Sequence, residues 1–232
     1  MDLAAQATRV GALADPTRRA LYEYVVARPG PVGREAAAEA LGLPLHSVKF
    51  HLDRLVEAGL LDTEFRRLGE RTGPGAGRPS KLYRRATEQV SVSLPDRKYD
   101  LAGHILAAGV ARASAGAELG AAIDDAAAEA GRDAGRPGDL ATFVEVLAEN
   151  GFEPRVEEDV VLLANCPFDA LAKEQPALVC GVNLDYVAGA LEGLGCDGLR
   201  ARLDPAEDRC CVRVVHDDEH EQRSRRTTDR AR

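Results

Sequence analysis

No thiol occurs in the first 165 residues of this 232-residue chain. All five cysteines come later: Cys166, Cys180, Cys196 and the adjacent Cys210 and Cys211. That one-sided placement predicts a single sulfur-bearing site in the last third. No apolar run approaches the roughly 18 residues that a membrane-spanning helix needs. Met1 to Arg9 lacks a charged leader followed by an apolar segment and a cleavage site. The expectation is a cytoplasmic protein with no membrane partner, in which an odd number of cysteines serves as thiols or metal ligands rather than disulfides. There is no Cys-x-x-Cys pair, no nucleophile–base motif and no nucleotide-binding glycine loop. A zinc ribbon is thereby disfavoured, and so is an enzyme.

What is present is divided by charge. The chain carries a net −8, which taken whole argues against nucleic acid. Residues 1–90 nevertheless hold 14 Lys and Arg against 11 Asp and Glu, whereas residues 91–232 hold 16 against 27. A mildly basic front and an acidic back predict two domains with different partners.

In the front, residues 1–90, Asp15-Pro16 opens a helix: the carboxylate can accept from first-turn amides, and proline has no amide to leave unsatisfied. Leu21, Tyr24 and Val25 form its apolar face, and it ends before Pro29-Gly30. A second helix is predicted from about Arg34 to Leu41, stopped by Gly42. A third follows from about Leu45 to Ala58, with Val48, Leu52, Leu55 and Val56 turned inward. Helix, short glycine-containing turn, helix is the pattern of a helix-turn-helix. The third helix then leaves His46, Ser47, Lys49, Phe50, His51 and Arg54 outside its core stripe. Such a face suits base edges and phosphates, although alone it equally describes a solvated helix. Leu60 to Phe65 and Lys81 to Arg84 are predicted as paired strands flanking a loop that contains Arg66, Arg67, Arg71 and Arg78. A basic-tipped wing of this kind, with Lys81 at its base, follows phosphates or enters a minor groove, and Gly77 and Pro79 leave the Arg78 guanidinium free to reach inward.

Leu13-Ala14-Asp15-Pro16-Thr17-Arg18-Arg19, Val48-Lys49-Phe50-His51-Leu52 and Ala58-Gly59-Leu60-Leu61 resemble the winged helix-turn-helix of ArsR-like bacterial regulators. Gly77-Arg78-Pro79 with Tyr83 resembles the branch that holds the SufR-type regulators of iron–sulfur cluster assembly. Pro44 stands where such recognition helices often carry a capping Ser or Thr, and Arg84-Arg85-Ala86 replaces the usual Leu-Thr after the tyrosine.

Residues 91–136 are rich in alanine and glycine. They predict one long or broken helix from about Lys98 to Ala130, linking the domains and offering a dimerisation element, with packing inside one chain as the alternative. Gly131 to Gly138 reads as a loop. Residues 137–216 predict a small α+β effector domain. It has a helix over Asp139 to Asn150, strands near 152–157 and 159–164, and a turn at Asn165-Cys166-Pro167 leading into a short helix. A longer helix from Pro176 to about Leu194 and strands near 199–203 and 210–215 complete it. His216, His220 and the acidic run between them could ligate a metal, but they sit beside Arg-rich, core-free sequence, and the tail, 217–232, is expected to be disordered. The fold class expected is therefore mainly α with α+β: an N-terminal winged helix-turn-helix, a linker helix and a C-terminal α+β domain.

Each cysteine taken singly reads as a buried apolar group. Together, Cys166 at a strand end, Cys180 on an inward helix face and Cys210 at a strand start could converge, and thiolates suit zinc or iron–sulfur clusters. Asn165-Cys166-Pro167-Phe168, Leu178-Val179-Cys180-Gly181 and Leu203-Asp204-Pro205 leading to Cys210-Cys211-Val212 resemble the SufR-type effector domain. The resemblance covers nearly the whole chain. It implies that Cys166, Cys180 and Cys210 hold a 4Fe-4S cluster, with Cys196, Cys211 or a non-cysteine group as fourth ligand. It further implies a homodimeric repressor on a two-fold symmetric double-stranded DNA operator of cluster-assembly genes. Two other readings stand beside it: a winged-helix regulator with a zinc or small-ligand site, and a thiol-dependent enzyme with an accessory winged helix.

Overall fold

The computed structural model describes residues 3–67, 79–158, 160–195, 198–206 and 208–216. Arg71, Arg78, Cys196, His220 and the whole segment 217–232 lie outside them, so the expectations placed on those residues lie outside them too. The chain divides into two compact units, Met1–Val92 and Ser93–Arg232.

The first unit begins with α1 (Leu3–Gly11), a helix with no buried residue that sequence reading did not anticipate. Helix α2 (Pro16–Val26) starts as expected: the Asp15 carboxylate accepts from the Arg18 amide at 2.8 Å, with Pro16 in the first turn. A two-residue strand β1 (Val32–Gly33), too short for any alternation to reveal, precedes α3 (Arg34–Leu41). Gly42 closes α3 at φ +64°, a left-handed position that favours glycine. Helix α4 (Leu45–Glu57) follows with extended Pro44 at its N-cap and no side-chain cap; its first turn is closed by the Val48 amide donating to the Pro44 carbonyl at 3.1 Å. Strands β2 (Leu61–Arg66) and β3 (Ser80–Arg85) pair antiparallel, and β1 joins the other edge of β3. Leu21, Val25, Ala37, Val48, Leu52, Leu55, Leu61 and Tyr83 close the core. The three helices and the wing thus share one hydrophobic centre.

The second unit opens with α5 (Tyr99–Ser114) and α6 (Leu119–Ala134). The helix expected over this stretch is broken, at Gly116 with φ +108°. Its far half runs on through Gly131 to Ala134, where a loop was expected. Gly131 is there for proximity rather than as a breaker: a Cβ on it would collide with the Tyr186 carbonyl of α9 (Pro176–Leu194). In the same way Gly189 abuts the Ala128 carbonyl, and a Cβ on Gly109 would lie 2.6 Å from the Ile123 side chain. These small residues let α5, α6 and α9 pack backbone to backbone within the chain. Stretch 91–136, set apart above as a linker, contributes Ala102, Ile105, Ile123, Ala126 and Ala127 to the core of this unit.

Helix α7 (Leu140–Glu149), capped by Asp139 onto the Thr142 amide, leads into a four-stranded antiparallel sheet. Its order is β4 (Pro154–Glu157), β5 (Val160–Leu163), β7 (Val212–His216), β6 (Leu199–Leu203). The short α8 (Asp169–Glu174) follows the Cys166 turn. Among the described residues only α9 has the length and apolarity to cross a bilayer, and it is the central core helix here, burying Val182, Asn183, Tyr186, Val187 and Ala190.

Candidate nucleic-acid interface and cysteine cluster

On α4, the buried stripe of Val48, Leu52 and Leu55 turns the opposite face outward. His46, Lys49, Phe50 and Arg54 are exposed there, and Ser47 is half-buried. Phe50 keeps 54% of its surface open, unusual for a residue that could have joined the core. The Arg54 guanidinium lies over its ring, 5.5 Å from the centroid, and also pairs with Glu57 at 2.8 Å. An apolar ring framed by cations and small polar groups can meet a thymine methyl while its neighbours meet phosphates.

One expected member of this face is placed differently. His51 is not outward: its side chain is 15% exposed and its Nδ1 lies 4.0 Å from Asp15 Oδ1. It sits one position before Leu52, so the helical turn carries it to the flank of the core stripe and toward the α2 cap. Lys81, expected at the base of the wing, is partly exposed and pairs within the unit, with Nζ 2.6 Å from Asp53 Oδ1 and 5.2 Å from the Tyr83 ring centroid. Asp53 also accepts from the Tyr83 hydroxyl at 3.0 Å. Burial pushes the Asp53 carboxyl up, but the hydrogen bonds from Lys81 and Tyr83 outweigh it and hold the group below its ordinary range. Burial, then the bond to Asp53, pushes the Tyr83 hydroxyl up. Asp53 was missed in the sequence because its partners lie 28 and 30 residues away, across the wing. Arg66 and Arg67 lie at the exposed end of β2.

In the second unit, the fold gathers the four described thiols, Cys166, Cys180, Cys210 and Cys211. Cys166 follows β5, and its carbonyl accepts from the Asp169 amide at 3.2 Å as α8 begins. Cys210 is tied to the end of the same strand, its amide donating to Leu163 at 2.9 Å. Cys211 is held by its carbonyl, which accepts from the Asp204 amide at 2.7 Å. The loop ahead of this pair is clamped by Arg209, which donates to the Asp204 carboxylate at 2.6 Å and to the Asp204 and Cys210 carbonyls at 3.2 Å. Cys180 comes from the first turns of α9.

One turn further along α9, Asn183 is fully buried and aims its amide between sulfurs. Its Nδ2 lies 3.4 Å from Cys166 Sγ and 3.9 Å from Cys210 Sγ, and its Oδ1 has no partner. The thiols also bond to one another. Hydrogen bonding from Cys210 lowers Cys166 to about 7, and a bond from Cys210, opposed by burial, lowers Cys211 to about 6. Burial, then the bond to Cys211, raises Cys180 to about 12. Cys210 is pushed up by its bonds to Cys166 and Cys211. The four free thiols form a hydrogen-bonded row from Cys166 through Cys210 and Cys211 to Cys180. Among the described residues, no three His, Cys, Asp or Glu side chains are arranged to hold a metal ion. The donor chemistry nevertheless fits a soft cationic group: four sulfurs and an orphaned amide oxygen, all acceptors once the thiols ionise. Asn183 carried a sequence signal of its own, as a lone amide inside the apolar run of α9.

Against this geometry, residues 13–64 match the model of a family described as a helix-turn-helix domain. The match runs from the turn before α2 into β2 and takes in α4. It marks the first unit as a DNA-binding element of the winged type and supports a regulator of transcription acting on double-stranded DNA. A comparison with curated proteins finds no match.

Proposed function

We propose that this DNA-binding regulator is a homodimeric repressor whose operator affinity is set by a cysteine-ligated 4Fe-4S cluster in its second unit. The observation that carries the reading is Asn183, whose buried amide draws the sulfurs of Cys166 and Cys210 together from two separate elements. Cys166, Cys180 and Cys210 would hold the group, with Cys211 on the same row. When bound, a cluster supplies a redox-labile bridge between elements far apart in sequence. The protein's part is to hold the four sulfurs at fixed stations. Strand β5 and the Leu163 carbonyl fix Cys166 and Cys210, Arg209 fixes the loop that leads to Cys211, and α9 presents Cys180. Asn183 offers an N–H to the sulfurs, which favours their ionised form. Resemblance to SufR-type regulators makes cluster-assembly genes the target.

On α4, His46, Ser47, Lys49, Phe50 and Arg54 would enter the major groove, with two copies reading symmetric half-sites. Iron and acid-labile sulfide analysis of anaerobically purified protein, beside its visible spectrum, tests the cofactor. Near-equal iron and sulfide in a brown protein are expected. A colourless protein containing zinc, or no metal, contradicts the cluster.

A further inference from the structure

The cysteine turn is bonded to the stretch of chain that leaves the DNA-binding unit. The first unit ends at Val92, and α5 begins at Tyr99. At this junction four consecutive residues, Asp96 to Tyr99, are fastened to residues 165–170. The Asp96 carbonyl accepts from Asn165 Nδ2 at 2.8 Å. Arg97 donates to Asn165 Oδ1 and, at 2.7 Å, to the Cys166 carbonyl, and it lies 3.6 Å from Asp169. The Lys98 amide donates to the Pro167 carbonyl at 3.0 Å, and the Tyr99 hydroxyl accepts from the Ala170 amide at 3.4 Å.

One member of this seam is buried and another is half-buried. Asn165 is 6% exposed, and its Nδ2 also donates to the Gly151 carbonyl at 2.5 Å. Arg97 has a side chain 19% exposed. A guanidinium this enclosed stays where its acceptors are, because leaving any of them unpaired is costly. One of those acceptors is the carbonyl of Cys166 itself. Movement of the Cys166 backbone must therefore move Arg97, or break its bonds, and Arg97 lies five residues from the end of the DNA-binding unit.

We propose that Arg97, braced by Asn165, is the positioning residue that couples the Cys166 site to DNA affinity. This rests on the reading of the cysteine site given above. When the sulfur of Cys166 is ligated, its backbone is fixed and the Asp96–Lys98 segment is held in register against residues 165–167. When it is released, the turn and the segment loosen together, and the change reaches the stretch of chain that leads back to the DNA-binding unit. The device is a two-state element biased by a ligand at one end.

The test compares operator affinity with iron–sulfur-loaded and cluster-free full-length protein, for wild type, Arg97→Ala and Arg97→Lys. Wild type is expected to bind more tightly when loaded, by about 5- to 150-fold, the usual range of such couplings. Arg97→Ala is expected to keep its iron and sulfide content while that ratio falls toward one. Arg97→Lys retains a charge near Asp169 but not the planar fork, so it is expected to show a reduced ratio and decides the matter if the alanine variant does not fold. A second readout needs no loaded protein: operator DNA is expected to change the rate of maleimide alkylation of Cys166 in cluster-free wild type and not in the variants. A wild-type ratio of one overturns the proposed function itself. A normal wild-type ratio, retained in the folded and fully loaded variants, overturns the role of Arg97 alone.

Discussion

Lys81 Nζ lies 2.6 Å from Asp53 Oδ1, so strand β3 of the wing is pinned to α4. The pair is about one-third exposed on each side and is worth at most about 1 kcal/mol as an ion pair. The larger effect comes from Tyr83, 1% exposed, whose hydroxyl shares the same carboxylate. Asp53→Ala leaves that hydroxyl unpaired and is expected to cost roughly 1–3 kcal/mol of stability. Thermal melting checks this.

The same carboxylate gives a pH dependence with a definite sign. Its folded pKa is held below the unfolded value, so its contribution is complete above the ordinary carboxylate range and is lost as pH falls through the folded pKa. The stability gap between wild type and Asp53→Asn is expected to be constant near neutrality and to narrow below about pH 4. Melting curves across acid pH measure it.

On the exposed face of α4, Phe50 and Lys49 are expected to act differently. Phe50→Ala removes an apolar base contact, lowering operator affinity while leaving random-sequence binding unchanged. Lys49→Ala weakens binding to both and reduces the salt slope by about 1. Salt titrations of binding on operator and random duplexes separate the two.

Much of this fold could be read from local chemistry. Asp15-Pro16 and Gly42 act within a turn of their own positions, and their caps stand where those residue types put them. Relationships across long separations could not be read in this way. His51 looked outward by residue type, but helical register puts it beside Asp15. Gly131 looked like a helix breaker, yet it is the point where α6 meets α9. For the candidate site, the flanking residues picked out Cys166, Cys180 and Cys210. Asn183 and Arg97 become meaningful only once the fold brings them to sulfurs and carbonyls as many as 69 residues away.

The contact between α6 and α9 leaves no room for a methyl group. Gly131→Ala is expected to destabilise the second unit by about 1–3 kcal/mol through overpacking against the Tyr186 carbonyl. Thermal denaturation followed on residues 93–232 within the intact chain reports it, with the first unit's DNA binding as an internal control.

Among the described thiols, Cys180 is the one presented from a helix rather than a strand end. Cys180→Ser is expected to abolish iron and sulfide retention while leaving DNA affinity at the cluster-free value. Metal analysis beside a binding assay checks it, and a fully loaded Cys180→Ser protein would remove this residue from the ligand set.

The most direct measurement is operator affinity of one anaerobic preparation before and after its iron is removed by chelation, with iron and sulfide quantified at each stage. The expected result is a loaded protein that binds tightly and a stripped protein that binds at least several-fold more weakly, with affinity recovered on reconstitution. Equal affinity in the two states, with loading confirmed, would contradict control of the DNA-binding unit by the cysteine site.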